Sequence, residues 1–489
     1  MAKDFIVAIE LGSSKMTGIA GRKNPDGSIT VLAVASEDST SYIRKGVVYN
    51  IDKTAQGLSN IISKLKNTLQ SDITQVYVGI GGQSIRSVKN VIIKDLPLDA
   101  IVSQDMVNEL MDTNRNMTYP DYEIQDAITE EYKVDSQYQN DPVGIQAIRL
   151  EGNFLNILWR RSFYRSLNKS FDNAGIAIAE TYLAPVVMGE HVLTEAEKRA
   201  GCVLVDLGAE TTTVSVYYRD KLRNIAVIPL GNNNITKDLE SLQMDEVEAE
   251  AMKRKYGSAY TEVQDIDPNM VWSIDGSRTV SSRKFIEVVE ARMLEIIENV
   301  RNLIPSEYMD KLLGGIVLTG GGSNMRNIEK AFRNAINIEK VRIAKSVNLN
   351  INTKDSKPAL ANNGTMNTIL SLLAKGDMNC AGNAFNDSLF DEEQLAATTH
   401  TAATAAQIAA EKAKAEEEER LRKEKEAEEE ERLRKEKEAE EEERKRKEKE
   451  AEEERLAAEK KEKSVMHRIF GSLKQFGRSL VEPEPGSND

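Results

Sequence analysis

Short apolar runs and alternating positions through the first 80 residues predict strands at 5–11, 16–21 and 29–35, a helix at 52–70 and a strand at 74–80. The last of these ends in Gly79-Ile80-Gly81-Gly82. Strands mixed with helices indicate an α/β layer structure. From about 83 to 164 the chain is more polar, with two short helical stretches and strand-like runs at 147–150 and 154–159, and reads as an inserted subdomain. A second α/β unit opens at Gly201-Cys202-Val203-Leu204-Val205-Asp206 and runs to about Gly376, with a charged helical stretch at 236–310. Its opening repeats that of the chain: Ile9-Glu10-Leu11-Gly12-Ser13-Ser14-Lys15 and Val205-Asp206-Leu207-Gly208-Ala209-Glu210-Thr211 each give an apolar strand, a carboxylate, Leu-Gly and a polar turn. Such an echo predicts two related halves facing one another.

Beyond the second unit the pattern changes character. Residues 377–410 read as a loosely structured linker, and 411–463 carry a 12-residue unit starting at Arg420 and Arg432, with a degenerate copy at Arg444. About 43 of those 53 residues are charged, with Glu before a base at i,i+4 in pairs such as Glu428 with Arg432. Leu421, Leu433 and Leu456 do not repeat at 3.5, which argues against a coiled coil. A helical spacer is one reading, about 80 Å long at 1.5 Å per residue. A disordered charged linker is the other. At the tip, residues 464–481, Val465, Met466, Ile469, Phe470, Leu473, Phe476, Leu480 and Val481 fall within about 160° on a helical wheel. Arg468, Lys474 and Arg478 lie outside that arc, the pattern of an amphipathic helix for an anionic membrane interface, although docking on protein fits the same arc. Pro483 and Pro485 end it, leaving a tail at 482–489.

Composition narrows the chemistry. A formal charge of −14 argues against nucleic acid as a partner. Two distant cysteines, Cys202 and Cys380, suit neither a disulfide framework nor a zinc site, and three histidines leave little room for a Ser-His-Asp triad. The apolar run after Asp4 is too short for a signal peptide, and no run is long enough to span a bilayer, so membrane contact is expected to be peripheral.

The two carboxylate-Leu-Gly turns are candidate phosphate loops, since Gly12 and Gly208 permit close approach and Ser13, Ser14, Thr211 and Thr212 add hydroxyls. Lys15 could reach outer phosphates, while Glu10 and Asp206 would face the water shell of a Mg-nucleotide. Either turn alone also fits an ordinary glycine hairpin. A third element, Ile316-Val317-Leu318-Thr319 followed by Gly320-Gly321-Gly322-Ser323-Asn324, reads as a buried strand, a glycine run beside a base or ribose, and a helix N-cap. All three in this order favour a nucleotide cleft.

At these residues the chain resembles the actin, sugar kinase and Hsp70 superfamily, and within it the FtsA family of bacterial cell-division proteins, over about 5–376 and the C-terminal tip. The selective stretches are Lys45-Gly46-Val47-Val48, Val76 to Gly82, Asn140-Asp141-Pro142-Val143-Gly144, Leu193-Thr194-Glu195-Ala196-Glu197-Lys198 and Ile316 to Gly322. Within that resemblance, the long charged linker implies a Bacteroidetes-like variant. The resemblance implies an actin-like ATPase fold of two duplicated halves: subdomain 1A at 1–82 and 165–200, the FtsA-type insertion 1C at 83–164, 2A at 201–235 and 311–376, and 2B at 236–310. A long charged helix and the C-terminal amphipathic helix would follow.

It also implies an ATP and Mg2+ site, with Glu250 and Lys253 as the Glu-x-x-Lys helix that contacts the nucleoside. The partners implied are the FtsZ C-terminal peptide on 2B, with Arg292 as a contact, further copies in a filament, and other division proteins through the insertion. The place implied is the cytoplasmic face of the inner membrane at the division site. Two departures stand out: Glu10 replaces the superfamily's usual Asp, and the usual Gly-Gly-Gly-Thr of loop two becomes Gly208-Ala209-Glu210-Thr211. A carboxylate beside the phosphates predicts ATP binding with at most weak hydrolysis. The alternatives are a sugar or acid kinase of the same fold, an Hsp70-like chaperone, and a membrane scaffold independent of nucleotide.

Overall fold

The computed structural model describes residues 4–353 and 360–384. The first half is a six-stranded sheet in the order Ala177–Leu183, Gln75–Ile80, Ile6–Leu11, Lys15–Lys23, Ile29–Asp38, Ile351–Thr353. Ile6–Leu11 runs antiparallel to Lys15–Lys23 and parallel to Gln75–Ile80. The second half repeats this arrangement: Cys202–Leu207 runs antiparallel to Thr212–Tyr218, which pairs with Lys221–Ile228, and parallel to Gly315–Thr319, then Val341–Ile343. The echo between the two openings is therefore an echo of topology.

Apolar side chains fill both faces of the central strands, as expected of parallel strands covered on both sides. In the first half the helix Ile51–Leu69 lays Leu58, Ile61, Ile62 and Leu65 on the sheet, started by Asn50, whose side chain accepts from the Lys53 N–H, and ended by Gln70 in the left-handed conformation. Helix Asn367–Lys375, late in the chain, returns to bury Ile369, Leu370, Leu372 and Leu373 in the same core. That core also takes in Cys202, Leu204, Tyr217, Ile225 and Val317 from the second half, so the two halves share apolar contacts at their base. A second core lies within the second half, where helix Ser282–Leu303 buries Phe285, Val289, Met293, Ile296 and Val300 at helical spacing.

The insertion is a separate small core built on strands Arg86–Asp95, Tyr122–Val134 and Arg149–Arg160 with one helix, Gln104–Arg115. Two helices were expected here. Only Gln104–Arg115 lies wholly within 83–164, a second helix, Arg161–Ala174, starting at its end, and the 13-residue strand Tyr122–Val134 escapes the sequence reading because its polar residues lie on a sheet only partly covered. The insertion's sheet continues into that of the second half through Arg86 against Ala226, and the buried Arg223 guanidinium meets the buried Glu130 carboxylate at 3.4 Å across this seam.

Three further expectations change. The charged stretch 236–310 contains a hairpin, Val271–Ser273 with Thr279–Ser281, as well as helices. The fold does not stop at Gly376: the Tyr77 hydroxyl donates to Asp377 at 2.8 Å, and Ala381–Ala384 pairs with Ser71–Ile73, so the expected linker begins later. The spacer at 411–463 and the tip residues Val465, Met466, Ile469, Phe470, Leu473, Phe476 and Leu480 lie outside the described residues. No helix among the described residues is long and apolar enough to cross a membrane.

One ion pair ties the end of the first half to the second. Arg342 of the strand Val341–Ile343 donates to Glu197 at 2.6 and 2.7 Å, and to the Val192 carbonyl at 3.1 Å. Burial opposes the Glu197 charge, but Arg342 and the Thr194 amide and hydroxyl hold its carboxyl down from 4.5 to about 2. A depressed carboxyl stabilises the fold above its ordinary value and loses that contribution as pH falls toward the folded one. Arg342→Ala should therefore lower stability by about 2 kcal/mol, a partly buried pair costing less than a fully buried one. Urea midpoints at pH 7 and pH 3 measure this, and the difference between variant and parent should shrink at the lower pH.

Candidate nucleotide site

Glu10 and Asp206 occupy the same place in the two halves. Each is the fifth residue of a six-residue central strand, and each is the one partly accessible position in an otherwise buried run. Pseudo-symmetry therefore brings both carboxylates to the floor of one cavity of about 660 Å³, the size of a small-ligand site. Burial, then the Asp206 charge, raise the Glu10 carboxyl to about 7, against the pull of Lys15 and a hydrogen bond with Thr368. Burial raises Asp206 to about 6.

The loops above them are shaped by glycine. A Cβ on Gly12 would lie 2.6 Å from the Lys15 carbonyl oxygen, and one on Gly208 would lie 2.8 Å from that of Thr211. Gly320 is in the left-handed region at φ 80°, and a Cβ there would strike the Asp206 Oδ1 at 2.3 Å. Any side chain at Gly322 would overlap Asn232 Nδ2 at 2.1 Å, whereas the space beside Gly321 is open to Thr365 Cγ2 at 3.7 Å. The Gly12–Lys15 turn, Asp206, Gly208, Thr211, Glu250, Lys253 and Gly320–Gly322 all line the cavity.

Lys253 is buried and spends its ammonium on Glu250 at 2.5 Å, Thr236 Oγ1 at 2.7 Å and the Asn232 carbonyl at 3.0 Å. Arg254 holds the other Glu250 oxygen at 2.8 Å. Glu250 and Lys253 thus form a fixed wall, one helical turn on the same face of Glu246–Tyr256. Ser13 Oγ accepts from the Gly46 N–H at 2.8 Å, which leaves the hydroxyl proton for a ligand.

Several expectations are corrected. Thr212 does not line the cavity: it is fully buried and donates to the Leu230 carbonyl at 2.9 Å, while Thr213, one residue on and so on the opposite face of the strand, does line it. The glycine run leads into a 3-10 turn, Gly321–Asn324, and the α-helix begins only at Ile328, so no helix N-cap stands at the glycines. Glu210 is absent from the lining; its carboxylate accepts from the Lys45 N–H at 2.6 Å, which removes the reason given for slow hydrolysis. Asn232, Arg326, Asn363 and Thr368 line the cavity without a sequence signal, because they arrive from loops and helices distant in sequence.

The arrangement fits a magnesium nucleotide. Among the described residues no three metal-binding side chains converge, and a cation at this site would keep much of its water shell, which Glu10 and Asp206 would face. Glu10 and Asp206 would hold it, and a bound cation would supply the charge that two adjacent buried carboxylates lack.

Before any ligand enters, the raised Glu10 makes a prediction. A carboxyl with a folded value above its ordinary 4.5 loses stability as pH rises from there to about 7. Glu10→Gln should stabilise the free protein at pH 8 by on the order of 2 kcal/mol, allowing for partial exposure, and have little effect at pH 4.5. Thermal melts at the two pH values measure it, and equal effects at both would show that the Glu10 carboxyl is not held above its ordinary value.

Comparison with known proteins agrees with this geometry. The family model "Cell division protein FtsA" matches residues 203–363, and "SHS2 domain inserted in FTSA" matches 82–158, the small core inserted between halves. The cell division protein FtsA of Porphyromonas gingivalis is 30% identical over 335 residues, 66% of this chain and 69% of that protein. That of Neisseria meningitidis is 31% identical over 332 residues, 66% of this chain and 80% of the relative. Among solved structures, a PilM-PilN type IV pilus biogenesis complex matches 75% of this chain and 97% of its own at 15% identity, with a TM-score of 0.49. Two duplicated halves, an insertion of the matching kind at the matching place, and identity across most of two relatives lead to one assignment: the chain belongs to the FtsA family of cell division proteins.

Proposed function

We propose that the protein binds ATP with Mg2+ in the cleft between its halves, polymerises at the cytoplasmic face of the inner membrane, and tethers FtsZ filaments there during division. The observation that carries the nucleotide reading is the pair Glu10 and Asp206, set at equivalent strand positions on one cavity floor beneath glycine-lined turns. Gly12–Lys15 would hold one end of the phosphates, and Gly208 with Thr211 the other. Gly320–Gly322, Glu250 and Lys253 would take the nucleoside.

Membrane attachment rests on the sequence of the tip. Seven or eight half-buried apolar side chains give only several kcal/mol, reduced by the cost of ordering the helix. A single copy would bind weakly, and copies aligned on a filament would bind far more tightly through effective concentration. Attachment and polymerisation are thereby coupled.

The FtsZ peptide would dock on the part built around helix Ser282–Leu303. Arg292 is not a free cation there: it donates to Asp238 at 2.5 and 3.0 Å and pairs with Glu295. A peptide carboxylate would have to compete with Asp238, so Arg292→Glu alone would confuse contact with packing.

Two measurements test the proposal. Sedimentation with anionic liposomes should pellet the full-length protein, more strongly with ATP, and should lose a truncation after Lys463; equal pelleting of both would end the anchor reading. Binding of a labelled FtsZ C-terminal peptide should fall about tenfold in Arg292→Glu and much less in Asp238→Asn, which frees Arg292 without removing it. Equal affinities for all three proteins would reject Arg292.

A further inference from the structure

Lys45 and Gly46 form the two-residue turn of a small hairpin in which Ile43 pairs with Val48 and Arg44 with Val47. Both turn residues are left-handed, φ 50° and 72°, the conformation that suits a tight hairpin. This turn is packed backbone to backbone on the end of the strand Gln75–Ile80: a Cβ on Gly46 would lie 2.5 Å from Gly82 Cα, and one on Gly82 would lie 2.4 Å from the Gly46 carbonyl oxygen. The Lys45 carbonyl accepts from the Gln83 N–H at 2.8 Å, and the Gly46 N–H donates to Ser13 Oγ at 2.8 Å. The turn is thus fastened to the first half and to its phosphate-loop hydroxyl.

One donor of the turn points the other way. The Lys45 N–H meets the carboxylate of Glu210, 165 residues later, at 2.6 Å. Glu210 lies in the loop Gly208–Thr211 of the second half, which is itself anchored: Asn232 N–H donates to the Gly208 carbonyl at 3.0 Å, and Asn233 N–H to that of Ala209 at 2.7 Å. Gly46, Ser13, Gly82, Gly208 and Ala209 all line the cavity, so the Glu210 to Lys45 bond crosses its rim between the two loops. Among the described residues it is the side-chain hydrogen bond that joins loop Gly208–Thr211 to the first half.

We infer that Glu210 is a clasp: its carboxylate on the Lys45 amide holds the rim of the cleft closed, fixes the hairpin turn that orients Ser13, and slows passage of a phosphate-bearing ligand between the loops. A charged acceptor on a backbone amide is among the stronger hydrogen bonds. Both ends sit on anchored backbone, so losing the bond loosens the rim and not merely a side chain. The charge that the sequence placed beside the phosphates is spent on this amide instead. The role in ligand passage rests on the nucleotide reading; the clasp itself does not.

Two readouts separate them. In the full-length protein without nucleotide, Glu210→Ala should speed hydrogen exchange of the Lys45 amide about tenfold, and Glu210→Gln, which keeps a neutral acceptor of the same length, should fall between. Stopped-flow release of a fluorescent ATP analogue should accelerate about tenfold in Glu210→Ala and less in Glu210→Gln. Unchanged Lys45 exchange in Glu210→Ala would overturn the clasp. Faster exchange with unchanged release would overturn the gating. If the parent protein binds no analogue while Lys45 exchange still responds, the nucleotide reading and the gating fail and the clasp stands.

Discussion

Two carboxylates brought to the lining of one cleft are the constraint on which the rest of this structure depends. Glu10 and Asp206 stand near the ends of equivalent strands, and the halves share an apolar base, with Leu204, Tyr217 and Val317 packed into the core of the first. Burial holds both carboxyls above their ordinary values, and the charge of Asp206 adds to the shift of Glu10. A bound cation would favour the ionised form of both.

Around the pair, glycine sets how closely the backbone approaches. Gly320 lets the third loop come down on Asp206 where no other residue fits, and Ser13 keeps its hydroxyl proton unspent. Lys253 is fixed by three partners on the cavity wall, so it brings position as well as charge. At the far side of the second half the insertion's strands extend the same sheet, sealed by the buried Glu130 and Arg223.

Much of this was legible because periodicity and glycine are local signals. The two Leu-Gly turns and Thr319-Gly320-Gly321-Gly322 announce close backbone approach, and the repeat of carboxylate position announces the duplication. What failed to read were non-local facts. Whether Thr212 or Thr213 faces the cleft depends on the phase of one strand against its neighbours. The strand Tyr122–Val134 is polar enough to read as something else, since its sheet is only half covered. Glu210 could be read as a charge in a phosphate loop, yet its partner is an amide 165 residues earlier that no spacing reveals. Arg292 likewise reads as a partner contact, and only the packing of Asn232–Glu240 beside it supplies Asp238.

The central claim is that the paired carboxylates and glycine turns form a magnesium nucleotide site. Isothermal titration of the full-length protein with ATP at pH 7.5, with and without Mg2+, tests it most directly. The account predicts one nucleotide bound per chain only when Mg2+ is present. No binding at millimolar ATP, or binding indifferent to Mg2+, would contradict it.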